Sequence, residues 1–175
     1  SVGTIGVVKP SGAIYGSLTT PDPVTLHETL AGLAREGVTH VAMEASSHGL
    51  DQHRLDGVGL AAAAFTNLGR DHLDYHPDIE SYFAAKMRLF TELLHGWPAA
   101  AVINTDGAYA DEVLAIVRAC PNIEHVVTVG TKGETIKLLS VTRHGFRQHL
   151  DMRVADTDYA VDLPLVGAYQ VENAL

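Results

Sequence analysis

The stretch TNLGRDHLDYHPDIESYFAAKMRLF, Thr66 to Phe90, joins the apolar run Val58 to Phe65 to a helix. Asp71, His72, Asp74 and His76 alternate through the turn, so metal-ligand side chains stand where a buried strand ends. Open α/β sheets keep their sites in that position. Pro77 and Asp78 form a helix start, and Ile79, Phe83, Met87, Phe90 and Leu94 recur at helical spacing, which predicts a buried face. Lys86 falls inside that stripe. A buried ammonium is costly, so such a lysine snorkels to water, finds an anionic partner, or loses its proton and becomes a nucleophilic amine. For one lysine at a stripe margin, snorkelling is the commoner outcome.

Upstream, Val2 to Val8 and Ile14 to Thr20 read as the strands of a hairpin turning at Pro10 to Gly12. Asp22 followed by Pro23 starts a helix with Leu26, Leu30 and Leu33 on its apolar face and Gly37 at its C-terminal cap. Thr39 to Ala45 reads as a buried strand carrying Glu44 at its end, followed by the polar loop SSHGLDQHR, Ser46 to Arg54. Downstream, Ala99 to Ile103 and Glu124 to Val129 read as strands and Tyr109 to Ala119 as a helix. The alternation predicts a doubly wound, mostly parallel sheet with helices on both faces over residues 1–134. From 135 to 165, three alternating segments without a helix between them predict a small antiparallel patch, and 166–175 begin a further helix.

Composition bounds the function. The chain has 175 residues and a formal net charge of −9, which argues against nucleic-acid backbones and anionic membranes as partners. A single cysteine, Cys120, excludes an internal disulfide framework and reads as a buried thiol in a reducing compartment. No apolar run reaches the length of a membrane span and the first residues lack a signal-peptide pattern, so the expectation is a cytoplasmic monomer.

Three clusters lie at or beyond expected strand ends: Thr19 and Thr20; Glu44 with Ser46 to Arg54; and Asn67 with Asp71 to His76. In a doubly wound sheet the second and third converge on one edge, where oxygen and imidazole ligands suit a hard cation such as Mg2+. Taken singly, each residue has an ordinary structural reading: Ser46 or Ser47 as a helix cap, Arg54 as a solvated charge, Glu44 or His72 as a hydrogen-bonded group. Zinc is disfavoured, because no histidine pair has the helical spacing of a zinc site and no cysteine pair is present.

TTPDP at Thr19 to Pro23, MEASSHGLDQHR at Met43 to Arg54, TNLGRDHLDYH at Thr66 to His76 and YFAAKMRLF at Tyr82 to Phe90 together resemble the central, ATP-hydrolysing domain of the Mur ligases. The resemblance extends over the whole chain and points to the tripeptide-forming branch. It implies an ATP-dependent amide ligase of peptidoglycan synthesis that adds a third amino acid, diaminopimelate or lysine, to UDP-N-acetylmuramoyl-L-alanyl-D-glutamate. Meso-diaminopimelate is the commoner case. By resemblance, Thr19, Thr20, Ser46, Gln52 and Arg54 hold the UDP-muramoyl dipeptide, and Glu44 and His72 bind Mg2+. Lys86 reacts with carbon dioxide to become a carbamate that orients the metal, and Asn173 lies near the adenine of ATP. Gln170 stands where the family usually has a second asparagine.

The family's Gly-Lys-Thr phosphate loop does not occur, and GTKGET at Gly130 to Thr135 lacks its spacing. The expectation is a piece of a longer enzyme, without ligase activity alone. Folylpolyglutamate synthetase and the ligase half of cyanophycin synthetase are the nearest alternatives. A hydrolase built on Glu44, Asp71, His72 and His76, or a bare binding module, is the alternative from another class.

Overall fold

A computed structural model describes residues 1–16, 18–69, 74–94 and 98–175. The chain divides into two compact units, Ser1–Gly59 with Arg70–Leu93, and Leu60–Gly69 with Leu94–Leu175.

The first unit opens with three short antiparallel strands, β1 (Val2–Gly3), β2 (Gly6–Lys9) and β3 (Gly12–Ile14). The hairpin is present with its turn at Pro10 and Ser11, but the run Val2 to Val8 is broken at Thr4 and Ile5, and β3 ends at Ile14 rather than Thr20. Val7 to Lys9 pair with Gly12 to Ile14, and the β2–β3 ladder ends there, before Gly6, the first residue of β2. Helix α1 (Pro23–Arg35) follows the sequence signals. The Asp22 side chain accepts a hydrogen bond from the Thr25 amide, Leu26 and Leu33 are buried, and Gly37 takes the left-handed conformation, φ 83°, that ends helices.

Thr39 to Ala45 departs from expectation. It forms no strand and its residues are exposed or half-buried; among the described residues its one parallel bridge is Met43 with Val2, closed by Val2 N–H to Ala42 O and Glu44 N–H to Val2 O, both 2.9 Å. A ladder requires a partner along its length, and β1 is only two residues long. Helix α2 (Ser47–Asp51) then packs against α3 (Ile79–Arg88), which continues into a wider π-helical turn at Leu89–Leu93. Asp78 caps α3 by accepting from the Ser81 amide, and Tyr82, Ala85, Met87 and Phe90 are buried. Arg88 binds α3 to the α2 loop, donating to Leu50 O and to His53 Nδ1 and pairing with Asp56 at 3.4 Å.

The second unit holds one six-stranded sheet in sequence order, β4 (Ala62–Phe65), β5 (Ala99–Asn104), β6 (Ile123–Gly130), β7 (Ile136–His144), β8 (Arg147–Val154) and β9 (Thr157–Leu163). The pairings from β4 to β7 are parallel and the last two antiparallel. β4 occupies an edge, so Ala63 and Phe65 are buried while Ala62 and Ala64 are exposed, where a strand buried throughout was expected. β7 starts beside Val129 and Gly130, the last residues of β6, and runs on past them. A short loop therefore replaces the crossover that full parallel pairing requires. Asp106 secures that loop by accepting from Thr131 N–H at 2.7 Å, Thr131 Oγ1 at 2.6 Å and Lys132 N–H at 3.3 Å. Burial pushes the Asp106 carboxyl up, but these donors outweigh it and its pKa lies below the ordinary value. Helix α4 (Ala110–Ala119) buries Val113 and Val117, and α5 (Ala168–Ala174) buries Val171. Cys120 is half-buried rather than buried, its Sγ donating to Ile116 O. Among the described residues no helix is long and apolar enough to cross a membrane.

Candidate functional site

The first two sequence clusters and the described end of the third, Asp74 to His76, lie in the first unit and approach by a different route from the one expected. Helix α2 against α3 brings them together, not neighbouring strand ends.

Thr20 is the centre. It is 1% exposed, and its hydroxyl donates to Glu44 O at 2.9 Å while accepting from Ser46 N–H at 3.0 Å. Thr20 therefore fixes the backbone on both sides of Ala45. Gly49 permits this closeness, since a Cβ there would lie 2.7 Å from the Thr20 Cβ. Ser46 caps α2 by accepting from Gly49 N–H at 3.1 Å, and an accepting hydroxyl keeps its own proton for another partner. Its neighbour Ser47 is 2% exposed, with no hydrogen-bond partner for its hydroxyl among the described residues.

The Glu44 carboxylate lies across Gly3, where a Cβ would come within 2.3 Å of Oε1, and accepts the Thr4 hydroxyl at 2.7 Å. Thr4 in turn meets the Thr19 hydroxyl at 3.1 Å. Glu44 pairs with no cation among the described residues. It also rims a cavity of about 220 Å³ with Val2, Gly3, Ile5, Ala42 and Met43.

Arg54 is half-buried and held by neutral oxygens: Nη1 donates to Thr20 O at 2.7 Å, and Nε, at 3.0 Å, and Nη2 both donate to Gln52 Oε1. No carboxylate pairs with it among the described residues. Gln52 Nε2 donates to the Tyr75 hydroxyl at 3.1 Å, and that hydroxyl donates to Asp51 Oδ2 at 2.7 Å.

A run of rings continues from there. His48 and Tyr75 have centroids 4.0 Å apart, Tyr75 and His76 4.8 Å, and His76 stacks on Tyr82 at 5.2 Å. The Lys86 Nζ stands 5.4 Å from the centre of the Tyr82 ring. Lys86 is half-buried, and burial holds its pKa below the ordinary lysine value with no carboxylate partner among the described residues to restore it.

Asp71 and His72 lie outside the described residues, so the structure gives no place for either. Among the described residues no group of three or more His, Cys, Asp or Glu side chains is arranged to hold a metal ion. His76, 3% exposed, is embedded in the ring cluster. Asn173 is exposed on α5 in the second unit, and Gln170 lies one turn before it. Thr4, Asp51 and Tyr75 were not singled out by sequence reasoning. Asp51 and Tyr75 had as signal their membership of polar stretches already noted, and Thr4, inside the run Val2 to Val8, had none.

The Mur ligase middle domain model matches residues 1–175. The chain is 56% identical over 175 residues to the UDP-N-acetylmuramoyl-L-alanyl-D-glutamate–2,6-diaminopimelate ligase of Rhizobium meliloti (strain 1021), covering 99% of this chain and 35% of that protein. It is 54% identical over 178 residues to the protein of the same name from Brucella melitensis, covering 100% and 35%. A solved structure of a UDP-N-acetylmuramoyl-L-alanyl-D-glutamate–2,6-diaminopimelate ligase superposes with a TM-score of 0.81 at 33% identity, over 98% of this chain and 34% of that one. The MurF ligase of Thermotoga maritima in complex with ADP shares the fold, with a TM-score of 0.55 at 19% identity over 70% and 27%. The chain thus spans about 35% of the length of these curated relatives. It belongs to the Mur ligase family, matching the middle domain of that family along its whole length.

Proposed function

We propose that this chain is the middle domain of an ATP-dependent ligase that joins meso-diaminopimelate to UDP-N-acetylmuramoyl-L-alanyl-D-glutamate in peptidoglycan synthesis. The names of the relatives support the reaction, and one observation in the site supports it most: among the described residues the half-buried Arg54 guanidinium is held only by the neutral oxygens of Thr20 and Gln52. A cation framed in this way keeps charge for an anionic ligand, and the UDP-muramoyl dipeptide carries phosphates and carboxylates. Ser46 retains a hydroxyl proton to donate, and Thr19 and Thr20 belong to the same proposed substrate-binding set.

In the proposed reaction the glutamate side-chain carboxylate of the substrate attacks the terminal phosphorus of ATP, forming an acyl phosphate and releasing ADP. The amine of diaminopimelate then attacks the acyl carbon and phosphate leaves. Activation is required because a carboxylate is a poor electrophile. Asn173 contributes to the adenine contact.

Glu44 and Lys86 fit a Mg2+ site on their own chemistry. The Glu44 carboxylate accepts a neutral hydroxyl and retains lone pairs, and Lys86 is pushed toward the neutral amine. Its Nζ lone pair attacks the carbon of carbon dioxide, one proton passes to water, and a carbamate anion results. Glu44, His72 and the Lys86 carbamate would hold Mg2+, which offsets the negative charge that gathers on the transferring phosphoryl group.

The test is turnover by the full-length ligase that carries this domain. ADP release that requires both the muramoyl dipeptide and diaminopimelate is the expected result. Hydrolysis without ATP, or tightly bound stoichiometric zinc, would overturn it in favour of a hydrolase. Lysine taken in preference to diaminopimelate would overturn the amino-acid assignment.

A further inference from the structure

We propose that Tyr75 is a positioning residue that sets the orientation of the Gln52 amide and, through it, the anion-binding pose of Arg54. The proposal rests on the substrate-binding reading of Gln52 and Arg54.

The argument is one of hydrogen-bond polarity. The Asp51 carboxylate only accepts, so the Tyr75 O–H points to it, at 2.7 Å. The phenol oxygen is then left to Gln52 as an acceptor, at 3.1 Å. An amide facing an acceptor must present its NH2 there, which turns its carbonyl oxygen toward Arg54. That oxygen receives both Nε and Nη2, while Nη1 goes to Thr20 O. Donors therefore run one way, from Arg54 to Gln52 to Tyr75 to Asp51. Reversing the amide would set its NH2 against the guanidinium, donor against donor. Without the Tyr75 hydroxyl, the exposed Gln52 amide keeps the Arg54 contact but loses its second constraint among the described residues, so its orientation is held from one end instead of two.

The ring is held in place independently of its hydroxyl. Tyr75 packs on His48 at 4.0 Å and on His76 at 4.8 Å, and His76 is buried. The ring is thus held both from α2, through His48, and from outside it, through His76, by contacts that do not involve the hydroxyl.

The experiment uses the full-length ligase. Tyr75→Phe keeps the ring and removes only the hydroxyl. The expected result is a rise of about fivefold to tenfold in KM for the UDP-muramoyl dipeptide, the size of one net hydrogen bond, with KM for ATP and the melting temperature unchanged. Asp51→Asn, which no longer forces the phenol proton one way, should raise the same KM by a smaller factor. Combining the two should do no more than Tyr75→Phe alone, because both act through one amide.

An unchanged KM for the dipeptide in Tyr75→Phe overturns the proposal. So does a parallel rise in KM for ATP with a lower melting temperature, which marks a general structural role, and so do independent, multiplying effects in the double variant. Arg54→Ala separates the two layers. If it leaves KM for the dipeptide unchanged, the substrate-binding reading falls and this proposal with it. If it raises that KM while Tyr75→Phe does not, only the relay falls.

Discussion

In the second unit, Ala99, Ala101 and Ile103 of β5 are at most 1% exposed and alternate with half-buried neighbours, so apolar packing dictates the structure residue by residue. In the first unit, Thr39 to Ala45 stands exposed or half-buried, and the chain around it is ordered by single polar contacts such as those of the Thr20 hydroxyl. The β5 strand is held by area removed from water, and the Thr39 to Ala45 segment by directed hydrogen bonds, although the first unit also has its own apolar core in Leu26, Leu50 and Phe90. Substitutions in the two should therefore fail differently: in stability in the second, in substrate affinity or turnover in the first.

The largest effect is expected at Lys86. In the full-length ligase, Lys86→Ala should lower kcat on the order of a thousandfold while leaving the melting temperature close to wild type, since alanine favours the helix. Acetate or formate should restore part of the activity by entering the space left. Rescue by an amine and not by a carboxylate would return Lys86 to the role of a cation.

Ile103→Ala makes the opposite case. Ile103 is fully buried in β5, and its truncation should cost about 2–5 kcal/mol of stability in denaturant unfolding. KM values measured below the melting transition should hold. A selective rise in KM for the muramoyl dipeptide would break the contrast between the units.

Arg54→Ala should raise KM for the UDP-muramoyl dipeptide far more than KM for ATP, by the roughly 1.5–3 kcal/mol of a charge-assisted contact. Equal effects on both substrates would make Arg54 a structural residue. Gly49→Ala is the smallest and mixes the two behaviours. The new Cβ meets Thr20 at 2.7 Å, so overpacking should cost about 1–3 kcal/mol and disturb the Glu44 and Ser46 backbone together. An unchanged melting temperature with unchanged kinetics would show that Thr20 yields freely.

Legibility in the sequence divides along the same line. α1, α3 and α4 and strands β5 and β6 were readable because caps and apolar spacing are local: Asp22, Asp78 and Gly37 act on residues a few positions away. Thr39 to Ala45 departs from its reading because an apolar run says nothing of whether a pairing partner exists beside it, and among the described residues Val2 alone supplies one. Three clusters could be named from residue types, but not how they meet. The Tyr75 contacts to Gln52 and Asp51 join residues 23 and 24 apart in sequence, and a tyrosine in a polar turn looks like any surface aromatic. For Lys86 the sequence left three fates open. The structure leaves it half-buried, with its pKa lowered and without an anionic partner among the described residues.

The most direct test of the central claim is carbon-13 NMR of the full-length ligase in labelled bicarbonate. A carbamate forms only from a neutral amine, and lowering the folded pKa enlarges that population at any pH near neutral. The account predicts a protein carbamate resonance that grows as pH rises through the lowered Lys86 pKa, grows with bicarbonate and vanishes in Lys86→Ala. A wild-type spectrum without that resonance under conditions of full turnover, or one that persists in Lys86→Ala, would contradict it.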